Sequence, residues 1–278
     1  MIELKDISYR YRAGLEALTG ITASIPDGIH LLLGENGAGK TTLLHIISGL
    51  LFPNTGCCEI DGLKIADRTP ETLSKVFFLA DNLDFPQLTV KKFAAVHSPF
   101  YSRFDNDLFE ENLREFGLTG NEKFRSLSFG NKRKSLLAYS LALSTDVLLL
   151  DEPANGLDIG SKQILRRMVA KCAVNFRTII ISTHTVTDLE YLFDGVMMLK
   201  RGRLILSESV GKVQSELSFI TAPVPPVESV FSIQNLGAFR CIVPADESTE
   251  SEIDFVLLYL ALQSKDADKV LNLLKSEE

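Results

Sequence analysis

The sequence is poor in several residue types, and each shortage excludes a class of protein. It contains no tryptophan and four cysteines, Cys57, Cys58, Cys172 and Cys241, none of which form a CxxC pair. No disulfide framework of a small secreted domain is visible in this spacing. A reducing, cytoplasmic environment is therefore the simplest expectation.

Long apolar runs are also missing. The longest run, Phe255 to Leu262, is far shorter than the roughly 20 residues needed to span a bilayer as a helix. The first 18 residues carry charges throughout, so neither a signal peptide nor a transit peptide is expected. Any contact with a membrane is expected to come through a partner protein.

An excess of basic residues is the third absence. The net charge is −7, whereas a nucleic-acid-binding domain needs a basic face, so no nucleic-acid partner is expected. With 278 residues, 45% of them hydrophobic, the chain is long and apolar enough to bury one large domain and a small one.

Short, fully apolar runs alternate with helical stretches through the first two thirds of the chain. They read HLLLG before the loop at Gly34, VFFLA from Val76, DVLLLD from Asp146 and TIIIS from Thr178. This pattern predicts an α/β fold with a mostly parallel sheet covered on both faces. The opening segments IELKDISYRY and GITASIP alternate apolar and polar residues, which favours an antiparallel edge sheet with one solvated face.

Two other regions depart from this alternation. Between Leu88 and Ala142 the strand signal disappears, and DLFEENLREFGL has apolar residues at helical spacing, so we expect an inserted helical subdomain over about 86–142. After a predicted hairpin at Arg201 and Gly202, the proline-rich TAPVPPVES indicates a linker or edge segment. Two strand-like runs, SVFSI and FRCIVP, and a helical end from Ile253 to Lys275 follow. The predicted division is a large α/β domain over 1–217 and a small C-terminal α+β extension over 218–278.

The stretch LLLGENGAGKTTLL contains the pattern GxxxxGK[ST], with Gly34, Gly39, Lys40 and Thr41 at the fixed positions. It lies between a predicted strand and a predicted helix, which is the context that a phosphate-binding loop requires. Glycines let successive backbone N–H groups point at phosphate oxygens at a helix N-terminus. Lys40 is placed to reach the β and γ phosphates, and the Thr41 hydroxyl to bind Mg²⁺.

Two adjacent carboxylates, Asp151 and Glu152, end the buried run DVLLLDEP. Ligands of open α/β sheets bind at the carboxyl ends of the strands. Asp151 is therefore predicted to hold Mg²⁺ and Glu152 to orient or deprotonate an attacking water. The alternative is an acidic strand end that caps the next helix.

In this order, the motifs resemble those of the ATP-binding subunit of an ATP-binding cassette (ABC) transporter. GENGAGKTT resembles the Walker A loop, VLLLDEP the Walker B strand, ANGLD with Asp158 the D-loop, and STHT with His184 the switch histidine. The resemblance implies a P-loop NTPase core with ATP and Mg²⁺ as ligands, and adenine stacking on Tyr11, with Tyr9 as the fallback. Taken singly, Tyr11 reads as packing, His184 as a strand-end histidine and Asp158 as a helix N-cap. The nucleotide-binding residues implied are Tyr11, Gly34, Glu35, Asn36, Gly37, Ala38, Gly39, Lys40, Thr41, Thr42, Ser128, Gly130 and Asp158.

Two motifs depart from the family pattern. The signature, usually LSGGQ, reads LSFGN over 127–131, in which Ser128 and Gly130 keep the phosphate-binding capacity. Phe129 is bulkier than the glycine common at this position and does not readily adopt positive φ, so a weaker or reshaped fit to phosphate is expected. The Q-loop has Asp81 in place of the usual glutamine. Asp81 can approach Mg²⁺ but cannot donate an amide hydrogen bond, so altered coupling is expected. Lys132, Arg133 and Lys134 after the signature either favour phosphate or form a solvated helix face.

By resemblance, two such subunits form a homodimer or heterodimer, each closing its signature over the other's ATP. The hydrolysis that follows powers transport, with export as the expected direction, through an integral membrane partner that docks near the Q-loop, around 81–104. The expected location is the cytoplasmic side of the membrane, as a peripheral protein. Two alternatives stay open: a degenerate nucleotide-binding partner in a heterodimeric transporter, and a soluble ABC ATPase that takes no part in transport.

Overall fold

The computed structural model describes residues 1–12, 14–82, 85–173, 178–184, 192–246 and 251–275. In these ranges thirteen strands form three sheets, and nine α-helices cover them. Among the described residues, no helix is both long enough and apolar enough to cross a membrane.

A six-stranded sheet forms the centre of the fold. Its spatial order is β10-β9-β3-β8-β7-β6, and the pairs within β9-β3-β8-β7-β6 are parallel. All four predicted runs are strands of this sheet, because their leucine, isoleucine and valine side chains are buried on both faces. The bounds are β3 Gly28–Gly34, β6 Val76–Leu79, β7 Val147–Asp151, β8 Thr178–Ser182, β9 Gly195–Lys200 and β10 Arg203–Ser209.

The predicted hairpin joins β9 to β10, the antiparallel edge strand of this sheet. Arg203 pairs with Lys200, and the two turn residues, Arg201 and Gly202, have φ of 49° and 76°. Positive φ at both central positions is typical of the type I′ turn that matches the twist of a hairpin.

An antiparallel sheet of four strands, in the order β2-β1-β4-β5, lies beside the central sheet. Its strands are β1 Ile2–Arg10, β2 Glu16–Ile25, β4 Thr55–Ile60 and β5 Leu63–Lys64. The N-terminal prediction is confirmed for β1 and β2, while β4 and β5 were not anticipated. Helix α1, Lys40–Ile47, shares one buried cluster with Leu4 of this sheet and Leu149 of the central sheet. The helix that follows the glycine loop is thus held between the two sheets.

Helices replace strands over the predicted insertion. They are α3 Val90–His97, α4 Asn106–Glu115 and α5 Phe129–Leu141. Tyr139 is 1% exposed, and the rings of Phe77, Phe93, Phe104 and Phe109 surround it with centroid separations of 5.2–6.2 Å. This aromatic cluster packs the helical segment onto β6. The other α-helices among the described residues up to 217 are α2 Pro70–Ser74, α6 Ile159–Cys172 and α7 Val210–Glu216.

The last fifth of the chain forms a three-stranded antiparallel sheet, β11-β13-β12, and two helices. The bounds are β11 Leu217–Ala222, β12 Phe231–Asn235, β13 Ala238–Pro244, α8 Phe255–Gln263 and α9 Ala267–Lys275. The single helical end predicted from Ile253 to Lys275 is wrong, because Ser264 is extended (ψ 179°) and its hydroxyl accepts the N–H of Asp266. A serine that bonds the backbone locally ends one helix before the next begins.

The core is continuous from the central sheet into the C-terminal segment. Phe193 and Phe255 stack edge to face at 5.7 Å, and Val196 of β9, Leu257 of α8 and Ile242 of β13 belong to the same buried cluster. Lys200 fixes the end of α8, since its Nζ donates to the carbonyls of Leu262 at 2.9 Å and Gln263 at 3.3 Å.

Candidate functional site

The glycine loop runs from the end of β3 to the start of α1, and its backbone requires glycine. Gly39, at the N-cap of α1, has φ of 107°. A Cβ there would lie 2.7 Å from the carbonyl oxygen of Ala17 and 2.7 Å from the Leu18 side chain. No side chain caps α1 at this residue, so N–H groups of the first turn are oriented toward the loop opening, where a helix N-terminus attracts anions.

Lys40 folds back over its own loop. Its Nζ donates to the carbonyl of Gly34 at 2.7 Å and to that of Glu35 at 3.3 Å. Burial lowers the pKa of this ammonium, and the nearby charges of Glu152 and Asp151 oppose the shift. The cation is therefore held at the loop mouth, opposite the two carboxylates of β7.

The metal-ligating pair predicted from sequence lies in hydrogen-bond contact. The Thr41 hydroxyl donates to Oδ2 of Asp151 at 2.8 Å, and Asp151 is 3% exposed. The hydroxyl of Ser182, which is opposite Asp151 in the β7–β8 ladder, donates to Oδ1 of Asp151. One hydroxyl and one fixed carboxylate are ligands that suit Mg²⁺, which prefers hard oxygen donors and keeps several of its waters.

Glu152 and His184 meet at the carboxyl ends of β7 and β8. His184 Nδ1 lies 2.8 Å from Oε1 of Glu152, and the His184 N–H donates to Oε2 at 3.4 Å. Glu152 has φ of 47°, a region in which a non-glycine residue stores strain and which is typical of functional positions. Thr185 of the STHT motif lies outside the described residues.

One cleft of about 550 Å³ is lined by Lys40, Thr41, Asp151 and Glu152, whereas the predicted residues Gly34, Ala38 and His184 are not in its lining. Tyr11 closes one side of it: its hydroxyl is 3.0 Å from the Thr42 hydroxyl, and its ring stacks edge to face on Tyr9 at 4.9 Å. Asp81 is also in the lining. The predicted residues in the lining are Tyr11, Glu35, Asn36, Gly37, Gly39, Lys40, Thr41, Thr42, Asp81, Asp151 and Glu152.

Sequence reasoning missed other residues of the cleft, including His45 and Asn82. His45 lies one helical turn after Thr41, on the same face of α1, so the spacing i, i+4 was the signal that would have found it. Burial lowers the pKa of His45, and Asp151 opposes that shift.

The signature and D-loop residues lie outside this lining. Ser128 caps α5 by accepting the Asn131 N–H at 3.3 Å, and Asp158 caps α6 by accepting the Ser161 N–H at 2.9 Å. Phe129 is the first residue of α5 and is not among the described residues with positive φ. Its ring is 52% exposed and covers Gly156, where a Cβ would lie 2.6 Å from the ring.

The three basic residues after the signature do not form the solvated face that their charges suggest. Arg133 is 1% exposed, and all four of its bonded acceptors are backbone carbonyls. Lys132 lies over the ring of Phe85 at 4.9 Å, and Lys134 pairs with Asp158 at 3.2 Å. Helical periodicity places only one residue in three or four on the same face, so a charge run does not share one environment.

Residues 18–155 match the family model for the ABC transporter. The chain is 32% identical over 237 residues to the energy-coupling factor transporter ATP-binding protein EcfA2 of Streptococcus sanguinis, covering 79% of this chain and 85% of the relative. It belongs to the ABC transporter ATP-binding protein family. This ABC ATPase is also 32% identical over 212 residues to the Nod factor export ATP-binding protein I of Burkholderia orbicola, covering 73% of this chain and 69% of the relative.

A solved structure of the ATP-binding cassette MJ0796 has the same fold as this ABC ATPase. It is described as the dimeric, post-hydrolysis state bound to ADP and Pi. The TM-score is 0.66 at 23% identity, over 75% of this chain and 98% of that chain. The predicted fold class, a P-loop NTPase core with mixed sheets and helices, is confirmed.

Proposed function

We propose that this ABC ATPase binds MgATP in the cleft between Tyr11 and Glu152, hydrolyses it as half of a dimer, and powers transport through an integral membrane partner. The observation that carries the proposal is the placement of Thr41 and Asp151 in direct contact within the cleft that also holds Lys40 and Glu152. A phosphate loop, a metal-binding pair and a general base are thereby assembled around one space.

The loop from Gly34 to Gly39 and the first turn of α1 bind the phosphates through backbone N–H groups. Lys40 exchanges its loop carbonyls for phosphate oxygens, and the Tyr11 ring receives the adenine. Thr41, Asp151 and Asp81 would hold Mg²⁺, which neutralises phosphate charge when bound. Each of these side chains lines the same cleft.

Glu152 acts as the general base toward the attacking water, and His184 holds the carboxylate in place through Nδ1. Positioned proton transfer of this kind contributes typically about 10² to 10⁴ in rate. The strained backbone of Glu152 fixes the direction of its side chain before substrate binds.

Ser128, Gly130 and Asp158 act on the nucleotide of the opposite subunit. They lie apart from the lining of their own cleft, and Ser128 stands at the N-terminus of α5, where N–H groups attract anions. Closure of a homodimer or heterodimer brings such a helix end to the γ-phosphate, so ATP favours the closed state and its loss allows reopening.

The membrane partner is proposed to dock around 81–104, at the cytoplasmic side. In this stretch Val96 and Phe100 are 52% and 73% exposed, and these two apolar side chains support a contact with a partner there. Export is the proposed direction, supported by the relative named for export. We assign residues 1–217 to the ATPase domain and 218–278 to an extension, supported by the separate three-stranded sheet that begins with β11 at Leu217.

Two substitutions test the nucleotide chemistry. Lys40→Ala is expected to abolish ATP binding, whereas Glu152→Gln is expected to bind ATP as wild type does, lose turnover and accumulate ATP-bound dimer. Unchanged ATP affinity in Lys40→Ala would overturn the assignment. ATP binding by the wild type without hydrolysis, alone and with its partner, would favour the degenerate heterodimer partner instead.

The transport role is tested by purifying the chain from membranes and identifying the protein bound to it. The co-purified integral membrane protein is then reconstituted with this ATPase in vesicles, and ATP is added outside. The vesicles are expected to accumulate substrate inside, which corresponds to export from the cell. Release of preloaded substrate would correct the direction. Full ATPase activity with no membrane protein attached would favour the soluble, non-transport alternative.

A further inference from the structure

Arg133 joins two loops of the candidate site through one buried guanidinium. Its Nη1 donates to the carbonyls of Ala80 at 2.6 Å and Asp81 at 2.9 Å. Its Nη2 donates to the carbonyls of Asp151 and Glu152, both at 2.6 Å. The Q-loop and the two acids after β7 are therefore fixed to the same planar group.

These four carbonyls are at the end of a parallel ladder. The last residue pair between strands β6 and β7 is Leu79 with Leu150. Beyond it, the residues that follow β6 do not pair with those that follow β7. A buried carbonyl without a donor is costly. The Arg133 guanidinium supplies one N–H to each carbonyl. Beyond the last β6–β7 pair, it therefore sets the distance between the Q-loop and the two acids, Asp151 and Glu152.

The charge of Arg133 has one close counter-charge on the Q-loop. Oδ1 of Asp81 lies 3.6 Å from Nη2 of Arg133, and it accepts the Asn155 Nδ2–H at 3.2 Å. Burial lowers the pKa of the guanidinium, and Asp81 is the largest of the charges that oppose this shift. An amide at position 81, the usual Q-loop residue, would leave this buried cation without its nearest anion, which is costly.

We propose that Arg133 is a positioning residue for ATP hydrolysis, which sets the Q-loop against Asp151 and Glu152, and that Asp81 is its counter-charge. The inference rests on the proposed function, because it concerns the geometry of the same metal and base groups. Asp81, which replaces the usual Q-loop glutamine, and Arg133 of the signature helix then form one ion pair. Asn155 connects the D-loop to this pair through its hydrogen bond to Asp81.

Lysine is the informative replacement at this position. It keeps the positive charge but has a single ammonium in place of a planar fork, so it cannot bridge both pairs of carbonyls. Small misplacement of catalytic groups costs up to about 100-fold in rate. We expect Arg133→Lys to lower kcat by roughly 10- to 100-fold and to raise the Mg²⁺ concentration for half-maximal activity, with Mg²⁺-free ATP affinity and KM unchanged.

Asp81→Gln provides the second arm, because it restores the usual residue and removes the counter-charge. We expect it to lower the melting temperature of the full chain in the presence of Arg133. In a chain that also carries Arg133→Gln, both side chains are neutral, and Asp81→Gln is expected to lower the melting temperature less. Lys132→Gln is the matched control, since it removes a cation from the neighbouring position of α5 without touching these carbonyls; kcat and Mg²⁺ dependence are expected to match wild type.

The proposal would be overturned by wild-type kcat and Mg²⁺ dependence in Arg133→Lys. Equal losses of ATP affinity and kcat in Arg133→Lys would also overturn it, because they indicate general unfolding of the site. A third contrary result would be melting-temperature shifts of Asp81→Gln and Arg133→Gln that simply add in the double variant. Failure of Arg133→Gln to fold leaves the Arg133→Lys kinetics to decide. A wild-type chain that does not bind ATP would instead reject the proposed function, so the two failures are distinguishable.

Discussion

Nδ1 of His184 lies 2.8 Å from Oε1 of Glu152, and the pair spans the carboxyl ends of two adjacent parallel strands, β7 and β8. Because a carboxylate oxygen can only accept, the hydrogen between the two atoms is the one on Nδ1. Two residues separated by a whole helix and strand in the sequence are thereby one catalytic unit in the proposed mechanism.

His184→Ala is expected to lower kcat by roughly 10²- to 10⁴-fold with nucleotide affinity unchanged, because the base loses its orienting partner while the phosphate loop is intact. Steady-state hydrolysis and equilibrium ATP binding measure the two effects separately. His97→Ala is the control, since His97 Nδ1 contacts the Phe93 carbonyl at 2.9 Å within α3, whereas His184 Nδ1 contacts Glu152. Equal kcat for both variants would remove His184 from the mechanism.

Gly39→Ala is expected to weaken ATP binding and to lower the free energy of unfolding by about 1–3 kcal/mol or more. The positive φ is unfavourable for alanine, and its Cβ would collide with the Ala17 carbonyl at 2.7 Å. Gly37→Ala is the matched comparison, because φ is 81° there but no atom lies within 4 Å of the Cβ. A larger loss in Gly37→Ala than in Gly39→Ala would contradict the role of the close approach to Ala17.

Stability is expected to fall as pH drops below about 6.5, in part because of His30. This residue is 4% exposed, its Nε2–H donates to the Pro26 carbonyl at 2.8 Å, and burial lowers its pKa in the folded state. The unfolded chain then binds more protons than the folded one, so the free energy of unfolding rises with pH across this window. Urea unfolding of His30→Gln between pH 5 and pH 8 is expected to give a flatter dependence than wild type; parallel curves would exclude His30 as a source of it.

Lys200→Met is expected to loosen α8 from the central sheet, since the last carbonyls of the helix lose the ammonium that caps them. Hydrogen exchange of the amides from Phe255 to Gln263 is expected to become faster, while ATP affinity stays at the wild-type value. Lys269→Met removes an exposed pair with Asp266, at 2.7 Å, and is expected to leave this exchange unchanged. Equal protection of α8 in both variants would show that apolar packing alone holds the helix.

Local patterns predicted the elements that carry the chemistry. The four apolar runs became strands β3, β6, β7 and β8, and the glycine spacing located the loop at Gly39, because burial on both faces and positive φ are properties of short segments. Strands β4 and β5 were not predicted, because TGCCEI and the two residues of β5 show little alternation of apolar and polar residues. The break at Ser264 escaped it because apolar residues continue on both sides.

The sequence by itself determined the phosphate loop, the acids Asp151 and Glu152 and the order of the motifs, because each depends on residue types at fixed spacing along the chain. Only the tertiary structure decided which side chains meet. In the folded chain Ser182 contacts Asp151 and His184 contacts Glu152. Arg133 is buried, while the lysines on either side of it are more accessible. Such contacts depend on strand order and on which helix face packs inward, and these are set by the whole core and not by any local pattern.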